Sequence, residues 1–526
     1  MADAVVIGSG PNGLVAANVL ADAGWEVVVL EGDPAPGGAV RTEDLVETGF
    51  HHDVFSSFYP LGVASPRIRD LRLEEHGLRW RRADVAVAHP LADGRCAAVW
   101  PRLDATAESL EAFAPGDGES WRRQYARWER LGGHILDALL RPFPPVVPAL
   151  RLAALEGPRG LARLARLGAL PVRRFAEEEF RGEGGPLLIA GNALHSDLSP
   201  ESPGGALFGW LLCGLAQQVG YPTPEGGAGR LTGALVSRLR AAGGELRCGE
   251  PVERIEVRNG RAAGVHTASG ERLTARRAVI ADTGAPALYE RLLPRGTVPA
   301  DRLDDVRRFH YDTGTFKVDW ALNAPIPWAA ADARRAGTLH VGEGLDALTE
   351  TCAQIATGRL PEHPFLVMGQ YASFDPTRAP AGHDTAWAYA HVPRGLPWDA
   401  ARRDGFADRV EEEIELRAPG FRGLVRGRHA MTPEDMQARN PNLVGGAING
   451  GTAQIHQQLV LRPIPGAGRP ETPVAGLYLG SASAHPGGGV HGGPGWNAAR
   501  AALVRERLRS PLRRWRAGRP APRPGA

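Results

Sequence analysis

The stretch "DAVVIGSGPNGLVAANVLADAGWEVVVLEGDPAPGGAVRT", residues 3–42, decides the fold of this chain. Residues 4–7 are a short apolar run typical of a buried strand, and residues 14–23 predict a helix that ends at Gly24. A second apolar strand is predicted over residues 26–30. A strand, a helix and a second strand within about 30 residues are the opening unit of a Rossmann-like α/β fold.

Three glycines at the first strand–helix junction predict a dinucleotide site. Gly8 permits a tight turn, Gly10 lets the backbone approach a pyrophosphate, and Gly13 lets the helix pack closely on the strand. The helix N-terminus offers free N–H groups and the positive end of its dipole to the phosphates. Glu31 follows the second strand, where an acid can accept hydrogen bonds from both ribose hydroxyls. The residues predicted to hold the dinucleotide here are Gly8, Gly10, Pro11, Asn12, Gly13 and Glu31.

The residues after Glu31 distinguish between the common dinucleotides. Gly37 and Gly38 follow it, and Arg41 and Thr42 come next, in the pattern E-x5-GG-x2-R-T. This segment resembles the one that follows the second strand in FAD folds of the glutathione-reductase and amine-oxidase types. A chain that lies beside a flavin needs small residues for close backbone approach, and a cation suits the pyrophosphate. The resemblance therefore implies FAD, with Gly37, Gly38 and Arg41 among its contacts.

Residues 221–282 predict a return of the chain to the nucleotide-binding unit. One helix and three strands are predicted there: 231–242, 252–257, 262–267 and 277–281. In FAD proteins of this type, the first valine of such a segment meets the adenine through backbone hydrogen bonds, and Val252 stands at the matching position. An unrelated hairpin is the alternative interpretation.

Near the C-terminus, "LYLGSASAHPGGGVHGGPGWNAARAAL", residues 477–503, predicts a further strand, turn and helix. The strand covers 477–479, and the helix starts at about Gly495. In FAD folds this element returns to the cofactor, so that its backbone passes the ribityl chain and its helix N-terminus points at the flavin. We expect the glycines to be needed because a Cβ there would collide with the ring. The predicted contacts are Gly480, Gly488, Gly489 and Val490.

These motifs, with "TPEDM" and "GGAINGGTAQIHQQLVLRP", resemble the phytoene desaturase-like family of FAD-dependent oxidoreductases. The family includes carotenoid desaturases, desaturase-type ketolases and isomerases, and the animal pyridine nucleotide-disulphide oxidoreductase domain-containing protein 2. It implies an α/β fold: a Rossmann-like FAD-binding domain of the glutathione-reductase/amine-oxidase type, an interleaved β-sheet substrate domain and a helical cap. The implied boundaries are 1–80, 220–300 and 470–508 for the FAD-binding domain, 81–219 and 301–469 for the substrate domain with its cap, and 509–526 for a disordered basic tail.

The resemblance implies an FAD-dependent dehydrogenase that transfers hydride from an apolar, isoprenoid- or polyene-like substrate to flavin N5. The chain has one dinucleotide fingerprint and no paired cysteines, so a dedicated NAD(P)H site is not expected. Oxygen or a quinone is the expected electron acceptor. Two alternatives stay open: a flavin amine or amino-acid oxidase, and a redox-neutral flavoprotein such as an isomerase.

Composition narrows the remaining classes. The net charge is only +2, which does not call for a nucleic acid partner. The four cysteines form no C-x-x-C pair, so neither a dithiol redox centre nor a structural metal site is expected. The chain shows no signal-peptide pattern and no apolar run of about 18 residues, so a cytoplasmic protein is the expectation. The sequence does not set the oligomeric state.

Flavin hydride chemistry needs few acid–base side chains, so catalytic residues are predicted at only three positions. His485 stands in the flavin-facing turn, with a hydrogen-bonded structural histidine as the alternative, and His52 and Asp53 follow the glycine pair. Lys317 is the only lysine, and flavin amine oxidases use a lysine to hold a water near N5. The alternation of residues 316–322 favours a charge on the solvent face of a strand instead.

Two segments bear on contact with membranes. Residues 139–174 are rich in leucine, alanine and arginine, and Glu156 is their single acid. An interfacial helix has this composition, but prolines interrupt the run, and a helical cap over a substrate cavity is favoured. The arginine- and proline-rich tail, 509–526, is predicted to be disordered. Peripheral contact with a membrane is left open.

Overall fold

In the computed structural model, which describes residues 1–517, two seven-stranded sheets form the framework. The strands are β1 (Ala2–Ile7), β2 (Val27–Leu30), β3 (Thr42–Glu43), β4 (His52–Asp53), β5 (Trp80–Arg81), β6 (Val85–Pro90), β7 (Cys96–Val99), β8 (Thr223–Pro224), β9 (Glu245–Arg247), β10 (Val252–Arg258), β11 (Arg261–Thr267), β12 (Arg272–Ala281), β13 (Gly314–Leu322), β14 (Ala336–Val341), β15 (Leu366–Gln370), β16 (Asp384–Val392), β17 (Val425–Met431) and β18 (Leu477–Leu479).

Helices cover both sheets. They are α1 (Pro11–Asp22), α2 (Pro60–Ala64), α3 (Pro66–Arg69), α4 (Leu103–Glu111), α5 (Asp117–Leu139), α6 (Val146–Leu167), α7 (Val172–Glu179), α8 (Gly184–Ala193), α9 (Gly205–Val219), α10 (Gly229–Ala241), α11 (Ala300–Arg307), α12 (Leu345–Ala356), α13 (Ala400–Glu415), α14 (Pro433–Arg439) and α15 (Gly493–Ala517).

The first sheet contains the strand–helix–strand unit predicted from residues 3–42. β1 pairs in parallel with β2 and β12, and α1 connects β1 to β2. α1 starts at Pro11, where the missing N–H removes no helical hydrogen bond. β9 and β18 continue the parallel part on either side, and β10 and β11 form an antiparallel hairpin beside β12. α1, α10 and α15 bury their apolar faces on one side of this sheet.

The second sheet has the order β17-β13-β16-β15-β14-β6-β7 and lies between two layers. On one face, Phe316, Val318 and Trp320 of β13 pack with α13. On the opposite face, Val367 and Trp387 pack with a helical cap made mainly of α4, α5, α7, α8 and α9. The sheet is therefore covered on both sides, and its cap-facing side forms one wall of the cavity described below.

The prediction that Lys317 lies on a solvent face is wrong. All nine residues of β13 are buried, and Lys317 is only 1% exposed. β13 lies in the interior of the sheet, between β16 and β17. The alternation of residues 316–322 therefore separates two buried faces, an apolar one against α13 and a more polar one toward the cavity.

The predicted tail also differs from the structure. α15 continues to Ala517, so residues 509–517 are helical rather than disordered. Arginine, leucine and alanine favour helix, and the first glycine after Gly495 is Gly518. Residues 518–526, the rest of the predicted tail, lie outside the described residues. Within residues 1–517, none of the helices combines the length and the apolarity needed to cross a bilayer.

Candidate active site

The glycine loop after β1 is packed so tightly that only glycine fits at two of its positions. A Cβ on Gly13 would lie 2.3 Å from the Gly8 carbonyl oxygen, and a Cβ on Gly10 would lie 2.6 Å from an Asp282 carboxylate oxygen. Gly8 itself has φ +92°, a left-handed conformation that glycine adopts without strain. Gly10, Pro11 and Asn12 line a large cavity between the first sheet, the second sheet and the cap. The loop thus presents bare backbone at the start of α1, as a pyrophosphate requires.

The second glycine pair closes this loop from outside. Gly37 donates its N–H to the Ser9 carbonyl oxygen, at 3.1 Å, and a Cβ on Gly38 would lie 3.2 Å from the Gly10 Cα. Glu31 accepts hydrogen bonds from the backbone N–H and the hydroxyl of Ser9, at 2.7 and 2.6 Å. The acid predicted to bind ribose therefore also fixes the loop, and its ribose contact stays a prediction.

Several buried polar atoms beside the glycine loop have no partner among the described residues. They are the Asn12 Oδ1, the Arg41 Nε, and both the Oδ1 and the Nδ2 of Asn497. Arg41 pairs with Asp33 at 3.0 Å and donates to the Arg439 carbonyl oxygen at 3.2 Å. Unpaired buried donors and acceptors beside a cradle that admits no Cβ fit a bound dinucleotide, because each would otherwise cost free energy.

Asp282, directly after β12, is a second carboxylate in contact with the glycine loop. Its Oδ2 accepts the Gly13 N–H at 2.8 Å, which satisfies one of the free donors in the first turn of α1. Asp282 lines the cavity and is only 7% exposed. Burial raises the pKa of this carboxyl to about 7; the Gly13 N–H opposes the rise, and the Glu31 charge adds to it. Asp282 can therefore change its charge near neutral pH.

The C-terminal turn forms the opposite side of the cradle. Gly488, Gly489 and Val490 line the cavity. Gly480 precedes a lining segment in the sequence, and a Cβ on it would contact Ile280. The nearest obstacles to side chains here are protein atoms: a Cβ on Gly488 would lie 2.7 Å from the Asn449 carbonyl oxygen. A Cβ on Gly495 would lie 1.9 Å from the Asn12 carbonyl oxygen, so α15 begins against the start of α1. The glycines thus bring two helix N-termini together.

Val252 is the first residue of β10 and sits near the end of β2. The neighbouring Glu250 donates its N–H to the Glu31 carbonyl oxygen at 2.8 Å, and Pro251 packs on Gly32, where a Cβ would lie 3.3 Å away. Val252 therefore lies at the same edge of the sheet as Glu31. Its contact with the adenine stays a prediction.

His52 and Asp53 lie behind the cavity wall, so their predicted catalytic placement is corrected. The His52 Nε2 donates to the Trp320 carbonyl oxygen at 3.1 Å, and burial lowers the pKa of the ring. Asp53 pairs with Arg378 at 2.9 Å and accepts a hydrogen bond from Ser57 at 2.5 Å. Although burial opposes it, the Arg378 charge holds the pKa of Asp53 below its ordinary value. Both residues lie on β4, and neither lines the cavity.

Asp53 still shapes the cavity through its partners. Ser57 lines the cavity, and Tyr371 donates to Asp53 at 3.2 Å while accepting the Trp387 Nε1–H at 2.7 Å. Trp387 is itself a lining residue. Asp53 is therefore a buried anchor that positions two wall residues.

His485 is also placed outside the cavity wall, which corrects the prediction that it faces the flavin. Its Nε2 donates to the Arg141 carbonyl oxygen at 2.9 Å, at the end of α5. Burial lowers the pKa of His485 to about 4, so the ring is neutral. This contact joins the glycine turn to the cap, which is the structural role named as the alternative.

Lys317 does line the cavity, on the same face of β13 as Thr315. Its Nζ contacts the Asp319 carboxylate two residues along the strand, and lies 5.8 Å from the centre of the Trp387 ring. Burial lowers the pKa of Lys317, and the Asp319 charge opposes that change. The cavity wall thus contains a buried ion pair that the strand pattern alone did not reveal.

The rest of the wall comes from residues that carry no sequence motif. The sheet contributes Tyr389, Trp387, Val367, Thr315 and Thr338, and the cap contributes His195, Phe208, Leu212 and Tyr221. His195 Nε2 lies 2.7 Å from His340 Nε2, and burial lowers the pKa of His195 to about 3, so this pair is neutral. Only the strand alternation could have indicated which side of the sheet these residues share. Their convergence depends on contacts between distant segments.

Comparison with known proteins agrees with this geometry. The chain matches the family described as flavin containing amine oxidoreductase over residues 12–503. Pyridine nucleotide-disulfide oxidoreductase domain-containing protein 2 of Rattus norvegicus is 30% identical over 94% of this chain and 92% of its own length. Hydroxyneurosporene desaturase of Cereibacter sphaeroides is 28% identical over 92% of this chain and 94% of its own.

A solved structure shows the same fold. Cyclohexylamine oxidase from Brevibacterium oxydans aligns with a TM-score of 0.60 at 16% identity, covering 96% of this chain and 99% of that one. The predicted resemblance and fold class are confirmed, and so is FAD as the cofactor. The protein is an FAD-dependent oxidoreductase, and the chain belongs to the family of flavin containing amine oxidoreductases.

Proposed function

We propose that the protein dehydrogenates an apolar, unsaturated, isoprenoid-like substrate. The observation that carries this proposal is the chemistry of the cavity wall. Most of the wall's surface is apolar, and its aromatic and aliphatic members include Phe55, Phe58, Leu61, Phe208, Leu212, Val367, Trp387, Met436, Leu443 and Ile448. Such a wall favours a substrate without charge, because a buried charge needs a partner.

The ionisable groups of the wall are already engaged within the protein. Lys317 contacts Asp319, Asp282 accepts the Gly13 N–H, and His195 pairs with His340. An ammonium substrate would find a lysine rather than a free carboxylate on the sheet side. This arrangement supports an uncharged substrate body over a cationic one in this cavity.

Bound FAD supplies a two-electron acceptor that takes a hydride from carbon. In the proposed reaction, the substrate loses one hydrogen as hydride and one from the adjacent carbon as a proton to solvent, and gains a carbon–carbon double bond. Oxygen, giving hydrogen peroxide, or a quinone, giving a quinol, takes the two electrons. The protein's part is to hold the substrate against the β13–β16 face and to exclude water. The name of the desaturase relative supports this reaction class.

An amine oxidase is a second candidate, and one observation favours it. Lys317 is buried in the cavity wall and does not lie on the protein surface. In that position it could hold a water near the flavin. This candidate predicts that an amine reduces the flavin and that Lys317→Met abolishes the reaction. The contact of Lys317 with Asp319 also gives this lysine a structural role, which is compatible with the first proposal.

Anaerobic titration of the FAD-loaded protein tests the proposal. Polyenes, amines and NADPH are added separately, and the oxidised flavin band near about 450 nm is followed. We expect a polyene to bleach the band and NADPH to leave it unchanged. Bleaching by an amine alone would support the second candidate. A yellow protein that no reductant bleaches, but that converts a polyene to an isomer, would identify a redox-neutral flavoprotein.

Contact with a membrane surface is part of the proposal. The first half of α6 exposes Val146, Val147, Leu150 and Leu155 at 57, 49, 65 and 44%, although the helix was predicted to cover the cavity. α6 contributes no residue to the cavity wall and packs on α5 instead. An exposed apolar face with arginines around it suits an anionic bilayer. We expect co-sedimentation with phosphatidylglycerol vesicles, and Leu150→Glu should abolish it; binding that is equal with neutral vesicles would contradict the charge argument.

A further inference from the structure

A second cavity adjoins the one that holds the glycine cradle. We call the first the flavin chamber and the second the outer chamber; the outer chamber has a volume of about 660 Å³. Residues two positions apart line the two chambers in three places: Thr315 and Thr313, Tyr389 and His391, Val367 and Phe365. Side chains two residues apart along a strand point to the same face. The two chambers are therefore consecutive on the cap-facing side of the second sheet.

One hydrogen-bonded histidine marks the junction of the chambers. The His391 Nε2 donates to the Leu194 carbonyl oxygen at 2.8 Å, and its Nδ1 accepts from the Thr313 hydroxyl at 2.9 Å. Leu194 lines the outer chamber, and the next residue, His195, lines the flavin chamber. The junction thus lies between β16 and the end of the cap helix α8, and the His391 side chain spans it from the sheet to the cap.

The outer chamber differs from the flavin chamber in its polarity and in its opening. Ala353 and Ala356 of α12 are exposed at its rim, so it is open to solvent there. Asp197 and Glu201 lie in its wall. Asp197 is engaged by the Ala453 N–H at 2.8 Å and by the Thr452 hydroxyl. The Glu201 Oε1 pairs with Arg173 and accepts from Thr349, which leaves the Oε2 of this half-exposed carboxylate without a hydrogen bond to the described residues.

The bases of the outer chamber offset its acids only in part. Arg394, a permanent cation, stacks on the Tyr311 ring, 4.9 Å from its centre, whereas a third acid, Asp312, lines the same wall as Asp197 and Glu201. Burial lowers the pKa of His391, so it carries no positive charge at neutral pH. A ligand group here meets hydrogen-bond acceptors and negative charge, which favours a donor over a carboxylate or phosphate.

We propose that the outer chamber binds the hydrogen-bond-donating end group, a hydroxyl or an ammonium, of an elongated substrate whose apolar body lies in the flavin chamber. From Thr313 to Lys317 the strand advances about 13 Å, so the substrate must be longer than that. The inference rests on the proposed function for the apolar body alone. It adds a second recognition site that selects the far end of the substrate.

Protection from chemical labelling tests this arrangement without requiring turnover. Ala353→Cys, made with Cys352→Ala in the FAD-loaded protein, places a thiol at the rim of the outer chamber. Glu350→Cys, exposed on the same helix and outside both chambers, is the matched control. A maleimide labels each thiol in the presence of hexanol, hexadecanol, hexadecylamine or hexadecane, and the flavin absorbance reports binding in the flavin chamber.

We expect hexadecanol, hexadecylamine or both to slow labelling at position 353 about tenfold at ligand concentrations about tenfold above Kd, with no effect at position 350. The two probes distinguish a hydroxyl site from an ammonium site. Hexanol should not protect, and hexadecane should protect less. Glu201→Gln should weaken protection by whichever donor binds and leave hexadecane unchanged.

Three results would overturn the inference. If hexadecanol and hexadecylamine shift the flavin spectrum but do not protect position 353, the probes bind only in the flavin chamber. The proposed function would then stay intact. Equal protection by hexadecane would remove end-group recognition. Neither a shifted spectrum nor protection with any long probe would overturn this inference and the apolar-substrate proposal together.

Discussion

The charge of Asp282 should control both the stability of the apoprotein and its affinity for FAD. The carboxyl is buried, lies beside the glycine loop and accepts the Gly13 N–H at 2.8 Å. Its pKa rises from an ordinary 3.8 to about 7, which corresponds to about 4 kcal/mol between the two protonation states. Because the pKa is raised in the folded state, its contribution to stability is fully present below about pH 4 and is lost as the pH rises through about 7.

Asp282→Asn keeps an oxygen for the Gly13 N–H and removes the charge. The free energy of unfolding of the variant, relative to the wild type, should therefore rise from near zero at about pH 4 to about 4 kcal/mol at about pH 8, measured by urea unfolding of the apoproteins. Wild-type affinity for FAD should fall above about pH 7, because a carboxylate then lies beside the predicted pyrophosphate site, and the variant should not show this fall.

Asp384 provides the matched control for a buried carboxyl elsewhere. Burial raises its pKa to about 7 as well, but it accepts the Ala372 N–H beside β16 and does not line the flavin chamber. Asp384→Asn should reproduce the pH dependence of stability and leave FAD affinity unchanged. Parallel unfolding curves for the wild type and Asp282→Asn across this pH range would refute the reasoning.

Three further predictions follow from the site. Lys317→Met leaves the Asp319 carboxylate buried without its partner, so the free energy of unfolding in urea should fall by about 3–5 kcal/mol. Most of this loss should be recovered in Lys317→Met/Asp319→Asn. An unchanged unfolding midpoint in Lys317→Met would mean that the ion pair is not formed. Gly13→Ala should release FAD on gel filtration, because its Cβ would lie 2.3 Å from a backbone oxygen, whereas Gly233→Ala, with no atom within 4 Å, should retain it. His485→Ala should cost about 1–3 kcal/mol of stability and leave the rate of flavin reduction near the wild-type value; a large loss of rate alone would restore the catalytic assignment.

Local patterns predicted the parts of the fold that form between neighbours in sequence. The glycine loop, α1 and the strands on either side of it follow from spacing and apolar runs within residues 3–42. The C-terminal turn and its helix are equally local. Gly488 and Gly489 of that turn line the cavity, and their contact with FAD stays a prediction. Where the physical cause is a turn or a helix start, a short window of sequence contains it.

The errors arose where the cause is a distant contact. The alternation around Lys317 shows two faces, but only pairing with β16 and β17 buries both. His485 donates to the carbonyl of Arg141, 344 residues earlier, which no local pattern records. His195 and Tyr389 carry no motif at all, and reach the cavity because the cap folds over the second sheet. The substrate side of the site is built from such contacts.

Product analysis tests the central claim most directly. The FAD-loaded protein is mixed anaerobically with one equivalent of an isoprenoid polyene such as phytoene, and the flavin spectrum is recorded. The lipid is then extracted, and its molecular mass is measured by mass spectrometry. We expect the flavin to bleach and the lipid to lose two hydrogens for each flavin bleached. The dehydrogenation proposal would be contradicted if the lipid mass is unchanged and the flavin stays oxidised, while a primary amine bleaches the flavin in a parallel sample.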